Sequence, residues 1–206
     1  MKLILIAIIA SSVLCCKQSE ESSFSDPKKT VKIEDTIAIR NVEVLKADLV
    51  LNPLEGIWYY KEQAYNGYAV NYYSNGNLKE KLGFFQGKRQ GLARTWSENG
   101  ALRTECFYNQ NKLSGVYKSF WENGNRDLVV NYVDGKKQGE EKQWYSNGEI
   151  SKIRLFKDGN EDGLQKAWLP NGKLYVNYEA KNGRIFGLMR ANSCYKLENE
   201  KVVKVN

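Results

Sequence analysis

Few side chains in these 206 residues could do chemistry. Two adjacent acid pairs, Glu140-Glu141 and Glu161-Asp162, come nearest to a general acid/base couple, which needs two carboxyls in one site with their proton affinities pushed apart. The chain has no histidine, so the commonest general base and metal ligand is missing. In a strand, sequence neighbours point to opposite faces, so neither acid pair would share a site. Both read as solvated charges. Cys106 and Cys194 are open to a disulfide in an oxidising compartment. Cys106, however, stands where Leu82 and Val130 stand one 24-residue step to either side, which reads as a small buried hydrophobe. No cysteine pair has metal-ligand spacing. The expectation is therefore a protein that is not an enzyme, with no catalytic residue, no metal and no cofactor. What remains is a column of flat aromatics, Tyr72, Trp96, Phe120, Trp144 and Trp168, spaced by 24 residues. Such rings either stack on a ligand or pack within a sheet, and they form the candidate binding surface.

The N-terminus carries different chemistry. Met1-Lys2 is a short basic start, and Leu3 to Leu14 is an apolar run of 12 residues. A membrane-spanning helix needs about 20, so the run fits the core of a secretory signal peptide. It ends at Val13-Leu14-Cys15-Cys16, which resembles a bacterial lipobox. Cys16 is the expected lipid acceptor, because small Cys15 precedes it, whereas Cys15 would follow bulky Leu14. The charged residues Lys17 to Glu21 resemble the acidic export tag of surface lipoproteins in Bacteroidetes-type bacteria. This resemblance implies a signal peptide at 1–15 and a lipid anchor at Cys16. It also implies a place in the bacterial cell envelope, on the outer membrane or cell surface. Residues 16–50 read as a tether rich in Ser, Glu, Lys and Asp. Partial alternation through Ile37, Ile39, Val42, Val44, Leu49 and Leu51 points to a capping strand within 36–51.

The elements that must position the aromatic column are repeats. Asn-Gly pairs fall at Asn75-Gly76, Asn99-Gly100, Asn123-Gly124, Asn147-Gly148 and Asn171-Gly172, every 24 residues. A second series of the same period runs Gly67, Gly91, Gly115, Gly139, Gly163, Gly187. A third runs Gly87, Asn111, Gly135, Gly159, Gly183. Its one non-glycine is Asn, the side chain most tolerant of a left-handed backbone, so this series marks a position with φ > 0. A further column reads Tyr60, Phe84, Tyr108, Tyr132, Phe156, Ala180, and another Leu78, Leu102, Arg126, Ile150, Leu174. Asn-Gly is the strongest short hairpin signal, and the third series supplies a second turn per period. The segments between turns have strand length and are too short for packed helices.

The fold expected is all-β: an elongated antiparallel meander of 24-residue β-hairpins in a single-layer twisted sheet. It spans residues 51–190 in about five repeats, with a C-terminal cap or tail at 191–206. Because the period is even, each column stays on one face. The stems of Arg94, Lys118, Lys142 and Lys166, in column with Val70, are placed to cover apolar surface. Tyr195, Leu197, Val202, Val203 and Val205 are placed to form a terminal hairpin.

The unit from Gly91 to Leu102, with Asn-Gly at its turn, is similar to the MORN repeat variant, and the array resembles the YwqK-type antitoxin family. That resemblance implies elongated hairpin arrays that bind proteins, and a partner toxin. A lipoprotein signal sits poorly with toxin neutralisation in the cytosol, so an extracytoplasmic antitoxin, immunity or scaffold role is expected. The net charge of +7 comes from charges of both signs mixed along the chain, which reads as a solvated surface. No nucleic acid is expected. The second reading is a membrane- or cell-surface-polymer-contact module that uses the aromatic and basic columns.

Overall fold

A computed structural model describes residues 39–189, 195–198 and 201–204. Cys15, Cys16, most of the tether, Cys194 and Val205 lie outside the described residues. The described chain is almost wholly β, with one short 3-10 turn at Lys46–Asp48.

The main sheet is a meander in sequence order. Its long strands are Gly67–Tyr72, Leu78–Phe85, Gly91–Trp96, Leu102–Asn109, Gly115–Phe120, Arg126–Val133, Lys136–Trp144, Ile150–Lys157, Gly163–Trp168, Leu174–Lys181 and Arg184–Leu188. Its two end strands do not pair with each other, so the sheet is open. One pairing breaks the antiparallel rule: Glu43–Leu45 lies parallel to Gly67–Tyr72, with Val44 opposite Ala69. A separate three-stranded sheet, Val50–Asn52, Ile57–Tyr60 and Gln63–Ala64, sits on the first hairpin through Trp58 and Phe84, whose rings meet edge-on at 5.9 Å. Tyr60 belongs to that small sheet, so the first member of its column stands outside the ladder that Phe84, Tyr108, Tyr132 and Phe156 continue. The hairpin Tyr195–Glu198 with Lys201–Lys204 forms a sheet of its own, with Leu197 opposite Val202.

Both turns of each repeat depend on left-handed backbone, but not as Asn-Gly suggests. The Asn-Gly loops close over three residues: Gly100 N–H donates to Ser97 O at 2.9 Å and Ser97 N–H to Ala101 O at 2.8 Å. Only the glycine is left-handed, at φ +87 for Gly100. This is a turn followed by a glycine bulge, not the two-residue type I′ loop that Asn-Gly usually marks. The type I′ loops lie at the other end of the hairpins. There two consecutive residues have positive φ, as at Asp134 (+50) with Gly135 (+80) and Gln110 (+49) with Asn111 (+70). The third series thus takes its expected positive φ.

Between the two turns the register slips twice. Beside each Asn-Gly loop one residue of the following strand is extra: Thr95 pairs with Thr104 and Trp96 with Leu102, leaving Arg103 over. On the return strand two residues are extra: Arg89 pairs with Phe84, yet Arg94 pairs with Lys81. The second glycine series sits in this bulge, with Gly91 at φ +75 and Gly139 at φ +79. Such bulges bend the strand and sharpen its twist.

Alternation along these strands makes one face an interior. Ala69, Phe84 and Val130 are fully buried there, and Leu82, Ala93 and Cys106 nearly so. An apolar cluster joins Leu49, Tyr65, Ala69, Leu82, Phe84, Ala93 and Cys106. Cys106 is a free, buried thiol, and burial pushes its pKa up.

Two glycine substitutions separate backbone strain from crowding. At Gly100 an added Cβ meets nothing within 4 Å, so Gly100→Ala carries only the left-handed penalty of about 1–2 kcal/mol. At Gly87 the same atom would stand 2.3 Å from Ile57 Cγ2 and 2.8 Å from Trp58 O. Gly87→Ala is expected to lower the urea midpoint distinctly more than Gly100→Ala.

Candidate functional site

The open face is built from three cross-strand rows. In the first, each member of the aromatic column pairs directly with the aliphatic column: Tyr72 with Leu78, Trp96 with Leu102, Phe120 with Arg126, Trp144 with Ile150 and Trp168 with Leu174. The two sequence columns are therefore one row of the sheet. Tyr72 is exposed, and Trp96, Phe120, Trp144 and Trp168 are half-buried.

The second row carries the charges. Arg94 pairs with Glu105, Lys118 with Val129, Lys142 with Ile153 and Lys166 with Asn177. Glu105 receives Arg94 at 2.7 Å and Lys118 at 3.6 Å, and Lys142 reaches Glu140 at 2.8 Å. The Arg94 hydrogen bond holds the Glu105 carboxyl below the usual carboxylate range. These cations stand on the open face beside the tryptophans. The cations that lie over rings of the interior are others: Arg89 over Tyr108, and Lys137 and Arg154 over Phe156.

The third row was not singled out from the sequence. Leu92 pairs with Phe107, Val116 with Asn131 and Leu164 with Glu179. Leu92, Phe107, Val116 and Leu164 are each more than 40% exposed. The signal for them was present, because residues 92, 116 and 164 keep the 24-residue phase two positions from the basic column. Near the last repeats the face also holds a shallow apolar depression lined by Ile150, Ile153, Trp168 and Leu169.

Side chains bind each repeat to the next. Tyr73 Oη donates to Trp96 O at 2.9 Å, Trp121 Nε1 to Trp144 O at 3.0 Å and Tyr145 Oη to Trp168 O at 2.7 Å. The turn asparagines act in two directions. Asn75 Oδ1 accepts Asn77 N–H at 2.9 Å while its Nδ2 donates to Glu98 O at 3.1 Å. Asn123 repeats this with Asn125 N–H at 3.1 Å and Ser146 O at 2.7 Å. Asn99, Asn147 and Asn171 likewise accept from the backbone two residues on, with Gly100, Gly148 and Gly172 left-handed after them. At the type I′ end, Gly135 N–H donates to Leu113 O and Gly159 N–H to Lys137 O. The aromatic row is thus fixed by bonds that run along the array.

The interior face changes character toward the C-terminal repeats. Where earlier repeats pair Ala93 with Cys106 and Tyr117 with Val130, the next pairs Glu141 with Arg154. Glu141 is 1% exposed. It accepts from Arg154 Nε at 2.8 Å and also binds Arg154 Nη2 and Lys137 Nζ. Arg154 Nη1 approaches Glu161 at 3.8 Å, and Tyr178 Oη donates to Glu161 at 2.7 Å. Glu141 is therefore not a solvated charge. It occupies the Ala93 phase of the repeat, which faces inward, and its two cations make burial tolerable. Glu140, its neighbour, is on the opposite face as alternation requires. Among the described residues no group of three His, Cys, Asp or Glu is arranged to hold a metal ion.

With this geometry in view, the comparisons are specific. Residues 65–86, 89–110, 113–134 and 137–158 match the MORN repeat variant. The chain carries four of these repeats, each matched segment spanning one Asn-Gly loop. A fifth hairpin of the same form, Gly163–Trp168 with Leu174–Lys181, continues the sheet beyond them. No curated protein matches the chain.

Removing one member of a buried ion pair strands the other, at a cost of about 3–5 kcal/mol. Arg154→Met, which takes the main cation from buried Glu141, should show that loss in urea unfolding, and the Glu141→Leu, Arg154→Met double variant should recover most of it. Desolvation and the bond to Glu161 push Tyr178 up to about 12. Its contribution is complete below pH 10, where both states are protonated, and is lost as pH rises through about 12. Alkaline unfolding of Tyr178→Phe should therefore have a shallower slope over that window.

Proposed function

We propose that the chain is a non-catalytic, lipid-anchored protein of the bacterial cell envelope, held through Cys16, whose repeat sheet presents its open face to a protein partner. The role is that of an antitoxin-like or immunity protein, or of a scaffold. One observation carries the reading: an ordered face on which exposed Leu92, Phe107, Val116 and Leu164 run beside the Trp96–Trp168 row. Aromatic anchors with an apolar surround and few unpaired charges are the composition of a protein interface.

A surface polymer or anionic headgroup would be gripped by aromatic faces and free cations. Here Arg94, Lys118 and Lys142 are already within ion-pair distance of Glu105 or Glu140, which favours the protein partner. The regular array also gives the face a fixed spacing. Successive repeats are two strands apart, about 9.6 Å at ordinary strand spacing, so a partner meets the same three-row pattern at each step.

The lipid anchor is tested by feeding a labelled fatty acid to cells that express the intact chain or Cys16→Ser, with label and membrane sedimentation expected only for the former. The face is tested in those cells with photo-crosslinking residues. Positions 92, 116 and 164 should capture one and the same envelope protein, and position 111, at the type I′ end, should not. Trp96→Ala, Trp144→Ala and Trp168→Ala should each cost on the order of 2 kcal/mol of binding. Because these rings are half-buried, the exposed-site variant Leu92→Glu, Val116→Glu, Leu164→Glu serves as the partner test with folding intact. Capture that survives that triple variant would remove the open face from the account.

A further inference from the structure

All five Asn-Gly pairs are exposed. The fold requires glycine in each, because a residue without Cβ takes φ between +76 and +90 at no steric cost. The same residue completes a reactive pair. Its backbone nitrogen has no side chain to shield it, and it follows an asparagine whose Cγ carries a leaving group. An added Cβ at Gly76, Gly100 or Gly124 would meet nothing within 4 Å, and at Gly148 only Asn125 Nδ2 at 3.9 Å. These loops are open to water and base.

The chemistry open to such a pair is deamidation. The glycine nitrogen loses its proton to base and attacks the asparagine Cγ. A new N–Cγ bond closes a succinimide, the Cγ–Nδ2 bond breaks, and the amide nitrogen takes up a proton and leaves as ammonia. Water then adds to one ring carbonyl. Opening at Cγ gives aspartate. Opening at the main-chain carbonyl gives isoaspartate, with one more carbon in the backbone. One water is consumed and one ammonia released, and nothing is oxidised or reduced.

Two bonds resist the attack in every loop. The glycine N–H is engaged, as Gly76 with Tyr73 O at 3.0 Å and Gly148 with Tyr145 O at 2.9 Å. The asparagine Oδ1 accepts the N–H two residues on. The loops differ at the amide nitrogen, the group that must leave. Asn75 Nδ2 donates to Glu98 O, and Asn77 Nδ2 donates to the same carbonyl at 2.8 Å. Asn123 and Asn125 share Ser146 O in the same way, at 2.7 and 2.8 Å. These two Asn-Gly-Asn loops are tied twice to the backbone of the next repeat. In the second loop Ala101 stands in the place of Asn77, and Asn99 Nδ2 reaches only the exposed Glu122 side chain, at 2.9 Å. In the fourth that place is Glu149, and both side-chain bonds of Asn147 end there: Oδ1 accepts Glu149 N–H at 3.0 Å and Nδ2 donates to Glu149 Oε2 at 2.8 Å. Among the described residues, Asn147 is thus held only within its own loop. The ranking concerns the first four loops, since residues 190–194, which follow the fifth by one repeat, lie outside the described residues.

We propose that Asn147-Gly148 is the deamidation site of these loops, and that Asn75 and Asn123 are protected by their bonds to the next repeat. The product changes the loop that makes it. A carboxylate at 147 faces the Glu149 carboxylate that now accepts Nδ2, so attraction becomes like-charge repulsion. The isoaspartate form lengthens a tight loop, closed by Tyr145 N–H on Glu149 O at 2.8 Å. The strands it joins hold Trp144 opposite Ile150, so the modification disturbs the aromatic row. The inference needs neither the lipid anchor nor a partner.

The test incubates the folded full chain in mildly alkaline heavy-oxygen water and reads each Asn-Gly peptide by mass spectrometry, with fragmentation that separates aspartate from isoaspartate. The rate at Asn147 is expected to exceed that at Asn75 or Asn123 by about fivefold or more, the factor set by one hydrogen bond. In urea the three should react at similar rates, because the unfolded chain keeps only the shared Asn-Gly pair. Glu149→Asn gives the fourth loop the Asn-Gly-Asn sequence of the first and third, with position 149 placed to reach Pro170 O as Asn77 reaches Glu98 O. That variant should slow Asn147 in the folded chain to the Asn75 rate. Reaction at Asn75 or Asn123 as fast as at Asn147 in the folded chain overturns the proposal, and so does the same ranking in urea. A Glu149→Asn variant that keeps its urea midpoint and still deamidates at 147 as fast as the parent also overturns it.

Discussion

The fold depends on where the backbone is allowed to turn left-handed. A non-glycine L-residue in that region costs about 1–2 kcal/mol, so the chain takes it only where the sequence supplies Gly, Asn or Asp, or where neighbouring bonds enforce it. Each repeat spends this tolerance at three places: the glycine of the Asn-Gly loop, the type I′ pair and the bulge glycine of the return strand. Together they set the length of both strands and both register slips. Because all three recur every 24 residues, each slip recurs as well, and a side chain at one phase always arrives on the same face.

That constancy lets a single layer work. The interior face packs Phe84, Leu82, Val130 and Cys106, while ring-covering cations such as Arg89 and Lys137 close it from solvent. The open face is freed to repeat one pattern of aromatic, charged and aliphatic rows. Stability in such arrays is a sum of repeat and neighbour terms. The neighbour terms here are visible as Tyr73, Trp121 and Tyr145 reaching the next strand, and as turn asparagines reaching the next turn. The exchange of an apolar interior for the Glu141–Arg154 pair changes the means of cohesion along the array without changing its geometry.

Much of this was legible in the chain. The spacing of Asn75, Asn99, Asn123, Asn147 and Asn171 places the loops, and the phase of Tyr72 to Trp168 places the aromatic row. The turn types were not legible from dipeptides alone. Asn-Gly suggests type I′, but the Asn side chain caps its own loop and leaves only glycine left-handed, and Gln86-Gly87 and Asp134-Gly135 make the type I′ turns. Glu141 looks like a solvated charge by residue type, but its phase relative to Ala93 points it inward, where it meets Lys137 and Arg154. Tyr60 shares its column by number but belongs to the small sheet, because the segment before Gly67 departs from the repeat. The parallel strand Glu43–Leu45 has an alternation that local sequence can show, but its direction is a tertiary choice.

The central claim is that one phase of the repeat occupies one straight row on one face. Pulsed electron resonance between spin labels at positions 92, 116 and 164 measures it directly. With two strands per repeat at about 4.8 Å each, the account predicts about 19 Å between 116 and 164 and about 29 Å between 92 and 164, in narrow distributions. Distances that do not grow with the number of repeats, or broad distributions over the same pairs, would contradict it.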